Sequence, residues 1–328
     1  MPYTGVVMHG PRVADHVAIA REAENLGFQS AWVTEVAGPD IATVLAAAAT
    51  ATTRIRLATG IAAIFVRDPY LSAMTFAALQ DLSGGRVIAG FGTSTPAIVT
   101  GWHSLPWSKP LGHTREFVDI FRRLVAGERV KHEGLYAIRG ASIRAAAGQP
   151  IPVYLGALNE RMLELAGEIA DGVILNFPTR SYLRTAIAAV ERGLAKSGRS
   201  RADFDVVAFL RTVVSDDYPA AAAPIQRELI SYFMAPVYEK VFRADGYDDD
   251  CDRFVASWRD GDRAGAVSGI SEAFVREHAI LGTPDECLAQ ARAMLDAGVD
   301  TAVLFPVAPE GAAGTETILQ TVRALAPR

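Results

Sequence analysis

Residues 56–94 read RLATGIAAIFVRDPYLSAMTFAALQDLSGGRVIAGFGTS, and their pattern decides the fold class. Arg56–Thr59 is a short run with strand character. Tyr70–Leu82 is a longer run with helical apolar spacing that Gly84-Gly85 terminates, and Val87–Ala89 is a second strand. Two short strands joined through a helix form a βαβ unit, whose strands run parallel.

The same alternation extends in both directions. Upstream, the spacing predicts a strand at Thr4–Met8, a helix from Val13 to Leu26 stopped by Gly27, a strand at Ser30–Val33 and a helix at Ile41–Ala51. Downstream it predicts a helix at Thr114–Ala126 and strands at Val153–Leu155, Gly172–Leu175, Val206–Val213 and Thr301–Phe305. Helices are predicted at Glu160–Ile169, Tyr182–Ser197, Thr283–Ala297 and Thr315–Ala326. Eight strands alternating with helices over this length define one (β/α)8 barrel of the TIM type, occupying residues 1–328 as a single domain. Three segments interrupt the pattern: a long loop at 92–111 rich in Pro and Trp, a hairpin at about 130–138 turning at Glu133-Gly134, and a helical insertion at about 215–277. The acidic run Asp248–Asp252 in the last of these lacks calcium-loop spacing and is expected to be a solvated turn.

Composition narrows the function classes. Half of the 328 residues are hydrophobic and 21% are charged, as expected of a folded chain with a substantial core. The net charge of −5 supplies no positive field for nucleic acid or an anionic membrane surface. The longest apolar stretch, Ile41–Ala51, is too short to span a bilayer, which takes about 18 residues or more. The N-terminus has no secretory pattern, and Cys251 and Cys287 fit no ligand or redox spacing. Together these predict a cytoplasmic protein with reduced thiols.

In such barrels the active site forms where the strands end at their carboxyl side. The four lysines, Lys109, Lys131, Lys196 and Lys240, avoid these positions, which disfavours Schiff-base chemistry. Of the six histidines only His9 follows a strand, so no metal-ligand set is expected. The strand ends offer glycine, small hydroxyls and apolar surface instead. Gly92-Thr93-Ser94 has the composition of a phosphate cradle, although glycine also ends strands for geometric reasons alone.

Several motifs together resemble the bacterial luciferase-like monooxygenase family. They are Thr59-Gly60-Ile61, Pro69, Leu82 to Thr93, Glu116, Gly134, Pro152 to Gly156 and Ala166 to Ile174, with weaker similarity at Gly282-Thr283-Pro284 and Gly298-Val299-Asp300. The resemblance implies a barrel with a flavin across its top. Thr34-Glu35-Val36 after the second strand is more similar to the branch that uses the deazaflavin coenzyme F420, with FMN as the alternative cofactor. It further implies a non-prolyl cis peptide at Gly60-Ile61, with Ile61 and Ala62 as an apolar backstop. Gly92, Thr93 and Ser94, with Gly156, Ala157 and Leu158, would hold the phosphate and tail, Thr34 and Asn176 would face cofactor or substrate, and the assembly would be a homodimer. Two departures stand out: Val36 occupies a position where the F420 branch often has histidine, and Ala157-Leu158 replaces a common second glycine.

The expected activity is hydride transfer between C5 of F420 and a small organic substrate. The alternatives are an FMN-dependent monooxygenase or reductase and, in another class, a non-catalytic flavin-binding barrel. Glu35 is the first acid/base candidate, because an apolar pocket raises a carboxyl pKa; a structural pairing with arginine is its other reading. His9 is the second candidate, against a rim histidine held by a hydrogen bond. Phe65, Trp102 and Trp107 are read as pocket walls or loop packing, and Arg67 as a tail contact or, more simply, a solvated surface arginine.

Overall fold

The computed structural model describes residues 2–144, 150–312 and 314–327. Eight strands form the barrel: β1 (Tyr3–Met8), β2 (Ser30–Val33), β3 (Arg56–Thr59), β4 (Val87–Gly92), β5 (Val153–Gly156), β6 (Gly172–Asn176), β7 (Asp205–Val214) and β8 (Thr301–Pro306). All pairings between them are parallel, and β1 closes the ring by pairing with both β2 and β8. The predicted (β/α)8 architecture is therefore the observed one.

The surrounding helices are α1 (Val13–Asn25), α2 (Ile41–Ala51), α3 (Pro69–Ser83), α4 (Pro110–Val125), α5 (Glu160–Ile169), α6 (Arg180–Ser197), α7 (Pro284–Asp296) and α8 (Thr315–Ala324). Local chemistry sets the limits of α3: the Asp68 carboxylate accepts the N–H groups of Tyr70 and Leu71, Pro69 supplies the first turn, and Gly84 ends the helix at φ 65°. Helix α4 turns Phe117, Ile120, Phe121 and Leu124 inward, where Phe91 of β4 meets Phe117 and Phe121 edge-on at 4.8 and 5.0 Å. Burying each such side chain contributes about 1.5–3 kcal/mol.

Strand alternation fills the barrel axis with Val7, Trp32, Ala58, Ile88, Tyr154, Ile174, Val207, Phe209 and Val303. Two residues further along, the same alternation brings Gly156, Asn176, Arg211 and Phe305 to the interior at the carboxyl end, and His9 follows Val7 there. This is the mouth of the barrel.

Between the barrel units the chain carries further elements. The loop after β4 carries a one-turn helix at Pro96–Val99, and α4 begins at Pro110 rather than Thr114, because proline suits a helix start. The hairpin pairs Val130–Glu133 with Ala137–Ala141. A two-residue strand, Ala62–Ala63, pairs with the end of β4, and Ile280–Gly282 pairs with the end of β7; both are too short to show a periodicity.

The insertion comprises helices Tyr218–Phe233, Pro236–Ala244, Asp248–Arg259, Arg263–Ser268 and Glu272–His278. Phe233, Phe242, Phe254 and Phe274 form its own core, joined to the barrel through Phe177 and Val213. The solvated turn expected at Asp248–Asp252 is instead the first turn of a helix, where acids complement the dipole. Asp250 is buried, and it accepts the Ser271 N–H at 2.7 Å and hydroxyl at 3.0 Å.

Candidate active site

One half of the mouth is glycine and aliphatic surface. After β3 the Gly60–Ile61 peptide is cis, as the resemblance implied, and Ala62-Ala63 then pairs with Phe91-Gly92. The Ile61 side chain lies across two neighbouring strand ends. A Cβ on Gly92 would come within 2.9 Å of its Cγ1, and one on Gly156 within 2.9 Å of its Cγ2. Expected to cradle phosphate, these glycines first make room for Ile61. Gly60 is held to glycine in the same way, since a Cβ there would stand 2.2 Å from the Phe209 ring.

Glu35, directly after β2, braces this segment. Its Oε2 accepts the Ala63 N–H at 3.0 Å, and its Oε1 accepts Arg67 Nε–H at 2.7 Å. Arg67 also pairs with Asp40, and its side chain is only 15% exposed. It is thus an internal strut, which corrects the expectation of a solvated surface arginine; nothing in residues 56–94 signals partners that lie on another βα loop. Thr34 beside Glu35 is half-buried.

Thr93 and Ser94 line the adjoining rim, half-buried, with Ser94 at φ 54°. A non-glycine residue held in this left-handed region is uncommon and tends to occur at functional sites. Trp107 Nε1–H donates to the Thr93 carbonyl at 3.2 Å, and Phe65 lies between Trp107 and His113 at 5.9 and 5.0 Å. Trp102 is 61% exposed and takes no part in this wall. After β5, Ala157 is buried, and the Leu158 carbonyl accepts the Tyr182 hydroxyl.

The other half of the mouth is polar and internally paired. Arg211 of β7 is 3% exposed. Its guanidinium donates to Glu228 at 2.9 Å, to the Tyr232 hydroxyl at 3.1 Å and to Asn176 Oδ1, and it sits 4.2 and 4.0 Å from the ring centres of Phe177 and Phe305. Asn176 Nδ2–H donates to the Tyr238 hydroxyl at 2.7 Å, so both ends of this side chain bind the protein itself. Glu228, Tyr232 and Tyr238 come from the insertion helices and went unrecognised in the sequence. The i,i+4 spacing of Glu228 and Tyr232 on one helix face was the available signal.

His9 completes the ring between the two halves. Its ring lies 5.8 Å from that of Phe305. Nε2 is buried without a partner among the described residues. Burial lowers the pKa of the imidazole, and the nearby His16 and Arg211 act in the same direction, opposed by the Pro306 backbone and Glu228. The half-buried His9 imidazole is therefore held toward its neutral form.

A separate cavity of about 1080 Å³ opens at the opposite, amino-terminal end, among Arg56, Arg122, Tyr154, Asp171, Arg201 and Asp205. Chemistry in this fold belongs to the carboxyl end, where the βα loops converge. Among the described residues no group of three His, Cys, Asp or Glu is placed to hold a metal, and no helix is long and apolar enough to cross a membrane.

A closed parallel barrel with these strand-end features is that of the luciferase-like monooxygenases. The family model of that description matches residues 2–301, and the chain belongs to the family, which places it among oxidoreductase enzymes. The chain is 30% identical over 295 residues to a 5,10-methylenetetrahydromethanopterin reductase of Methanolobus tindarius, covering 88% of this chain and 90% of that one. It is 31% identical to a putative coenzyme F420-dependent oxidoreductase of Mycobacterium tuberculosis, with 88% and 90% covered. Among solved structures, the F420-dependent tetrahydromethanopterin reductase of Methanopyrus kandleri superposes with a TM-score of 0.84 at 26% identity, covering 98% and 97% of the two chains.

Proposed function

We propose that this chain is a coenzyme F420-dependent oxidoreductase that transfers a hydride between C5 of the deazaflavin and a small organic substrate. The observation that carries the reading is Ile61, seated across Gly92 and Gly156 so that the centre of the mouth is aliphatic while its far side is polar. That division suits a planar ring system with an apolar face and one hydrogen-bonding edge. The partnerless His9 Nε2 and the left-handed Ser94 fit a bound ligand in addition. The two F420-dependent proteins named above support the choice of cofactor.

When bound, F420 supplies a two-electron acceptor or donor at C5. Ile61 and Ala62 form the backstop for the ring and exclude water beneath it. Thr93 and Ser94, with the backbone of Gly92 and Gly156 to Leu158, hold the phosphate and tail, and Thr34 and Asn176 border the ring's polar edge. Both oxygens of Glu35 are engaged by Arg67 and Ala63, so Glu35 orients the Gly60–Ala63 segment and His9 moves the proton. The same reading makes the working unit a cytoplasmic homodimer of single-domain chains, which sedimentation of the purified protein tests for size.

The test is separate titration of the purified protein with F420 and with FMN, repeated on Ile61→Asp. The reading expects tight F420 binding, weakened by about tenfold or more (about 1.4 kcal/mol) in the variant, whose thermal unfolding stays near that of the wild type. Preference for FMN would promote the monooxygenase alternative. Binding of neither would overturn the flavin assignment.

A further inference from the structure

We propose that the amino-terminal end of the barrel is a second binding site, for a zwitterion with an ammonium, a carboxylate and an apolar body, as in an apolar α-amino acid. The proposal is independent of the cofactor reading. The strand alternation that sends Ala58, Val207 and Val303 into the axis also turns Arg56, Asp205 and Thr301, two residues earlier on their strands, into the interior at the amino-terminal end. The cavity of about 1080 Å³ opens there, with Arg56 and Asp205 in its lining. The axial side chains, among them Trp32, Tyr154 and Phe209, separate it from the mouth.

Asp205 is the group that calls for a ligand. Its Oδ2 accepts the Tyr154 hydroxyl at 2.9 Å and the Thr301 hydroxyl at 3.1 Å, which fixes the carboxyl group. Its Oδ1 is buried without a partner, and Asp205 forms no ion pair among the described residues. Burial raises its pKa, and Asp300 acts in the same direction, opposed by the two hydroxyls and the charge of Arg56. Folded proteins leave few buried polar atoms unmatched, and a carboxylate oxygen is matched most strongly by a cationic donor.

The other charges lining the cavity leave one cation over. Arg122 pairs with Asp171 and Arg201 with Asp300, both at 2.7 Å, and Asp203 is exposed. Arg56 forms no ion pair and no side-chain hydrogen bond among the described residues, although its charge reaches Asp205 and Tyr154. An ammonium on Asp205 Oδ1 and a carboxylate on Arg56 answer both groups without changing the net charge of the site. Val125, Ile151, Tyr154 and Phe204 supply the apolar and aromatic wall for the rest of the ligand. A simple amine would leave Arg56 unanswered, and a simple carboxylate would leave Asp205 so.

The test is calorimetric titration of the purified whole protein with L-phenylalanine, N-acetyl-L-phenylalanine and L-phenylalanine amide. The expected result is saturable binding of phenylalanine with a Kd below about 1 mM, and binding weaker by about tenfold or more for each blocked form. Asp205→Asn keeps an acceptor for Tyr154 and Thr301 but turns an N–H toward the ligand. It should unfold near the wild-type temperature and bind phenylalanine about tenfold or more weakly. Arg56→Gln, at an exposed position, should fold unchanged and weaken phenylalanine by about threefold or more while leaving the affinity of the amide as it was. Absence of saturable binding overturns the proposal, since water then suffices for Oδ1. Binding that neither substitution weakens, or equal affinity for the three compounds, overturns it as well. Phenylalanine binding is read without F420, so the outcome stands whichever cofactor the mouth takes.

Discussion

Ile61 occupies the space that a side chain on Gly156 would need: a Cβ there would lie 2.9 Å from Ile61 Cγ2. Two residues far apart in sequence thus share one volume at the centre of the mouth. Gly156→Ala is expected to destabilise by about 1–3 kcal/mol through overpacking. Ile61→Ala removes the conflict, so the double variant should cost less than the sum of the single ones by about 1 kcal/mol or more. Urea unfolding of the four proteins measures this coupling, and strict additivity would contradict it.

Glu35 links β2 to the segment after β3 through Arg67 and the Ala63 N–H. Glu35→Ala leaves a mostly buried guanidinium short of a partner and a backbone donor unmatched, at a cost of about 1–3 kcal/mol. Glu35→Gln keeps an acceptor for Ala63 and should cost less. Thermal unfolding orders the three proteins, and equal stability of Ala and Gln variants would contradict the bracing role.

Arg211 joins the barrel to the insertion through Glu228, Asn176 and Tyr232. Arg211→Met should cost about 3 kcal/mol, near the low end for breaking a buried pair because Glu228 keeps some exposure to water. Adding Glu228→Gln should recover part of the loss. Hydrogen exchange is expected to rise first in Tyr218–Phe233, the helix this arginine holds.

His278 is buried against Phe274 at 3.9 Å, and burial holds its pKa down at about 4, below the ordinary 6.5. The unfolded chain therefore binds the proton more readily than the folded one between these values. The stabilising contribution is whole above pH 6.5 and is lost as pH falls toward 4, to a total of about 3 kcal/mol. Denaturant midpoints measured across this range should fall more steeply for the wild type than for His278→Phe.

Much of the site's frame was legible without coordinates because it is local. Gly60, Gly92 and Gly156 stand immediately at strand ends, and the rule that chemistry lies there needs only the strand positions. The place of His9 just after β1 was legible in the same way. The pairing of Arg67 with Glu35 and Asp40, and of Arg211 with Glu228, was not legible, since each joins side chains from different loops whose approach no periodicity encodes. Asp248–Asp252 was misread for a related reason: a charge run looks solvated until the helix that buries Asp250 against Ser271 is in place.

The sequence by itself determined the barrel. Strand and helix periods, glycine stops and capping residues act over a few positions, and eight such units bury their apolar faces together when the parallel sheet closes on itself. Tertiary structure alone decided how the mouth is divided, with Ile61 filling the glycine side, the Arg211 network closing the polar side and His9 left with a buried acceptor. These outcomes depend on which side chains remain unmatched once every long-range contact has formed, and that balance belongs to the whole chain.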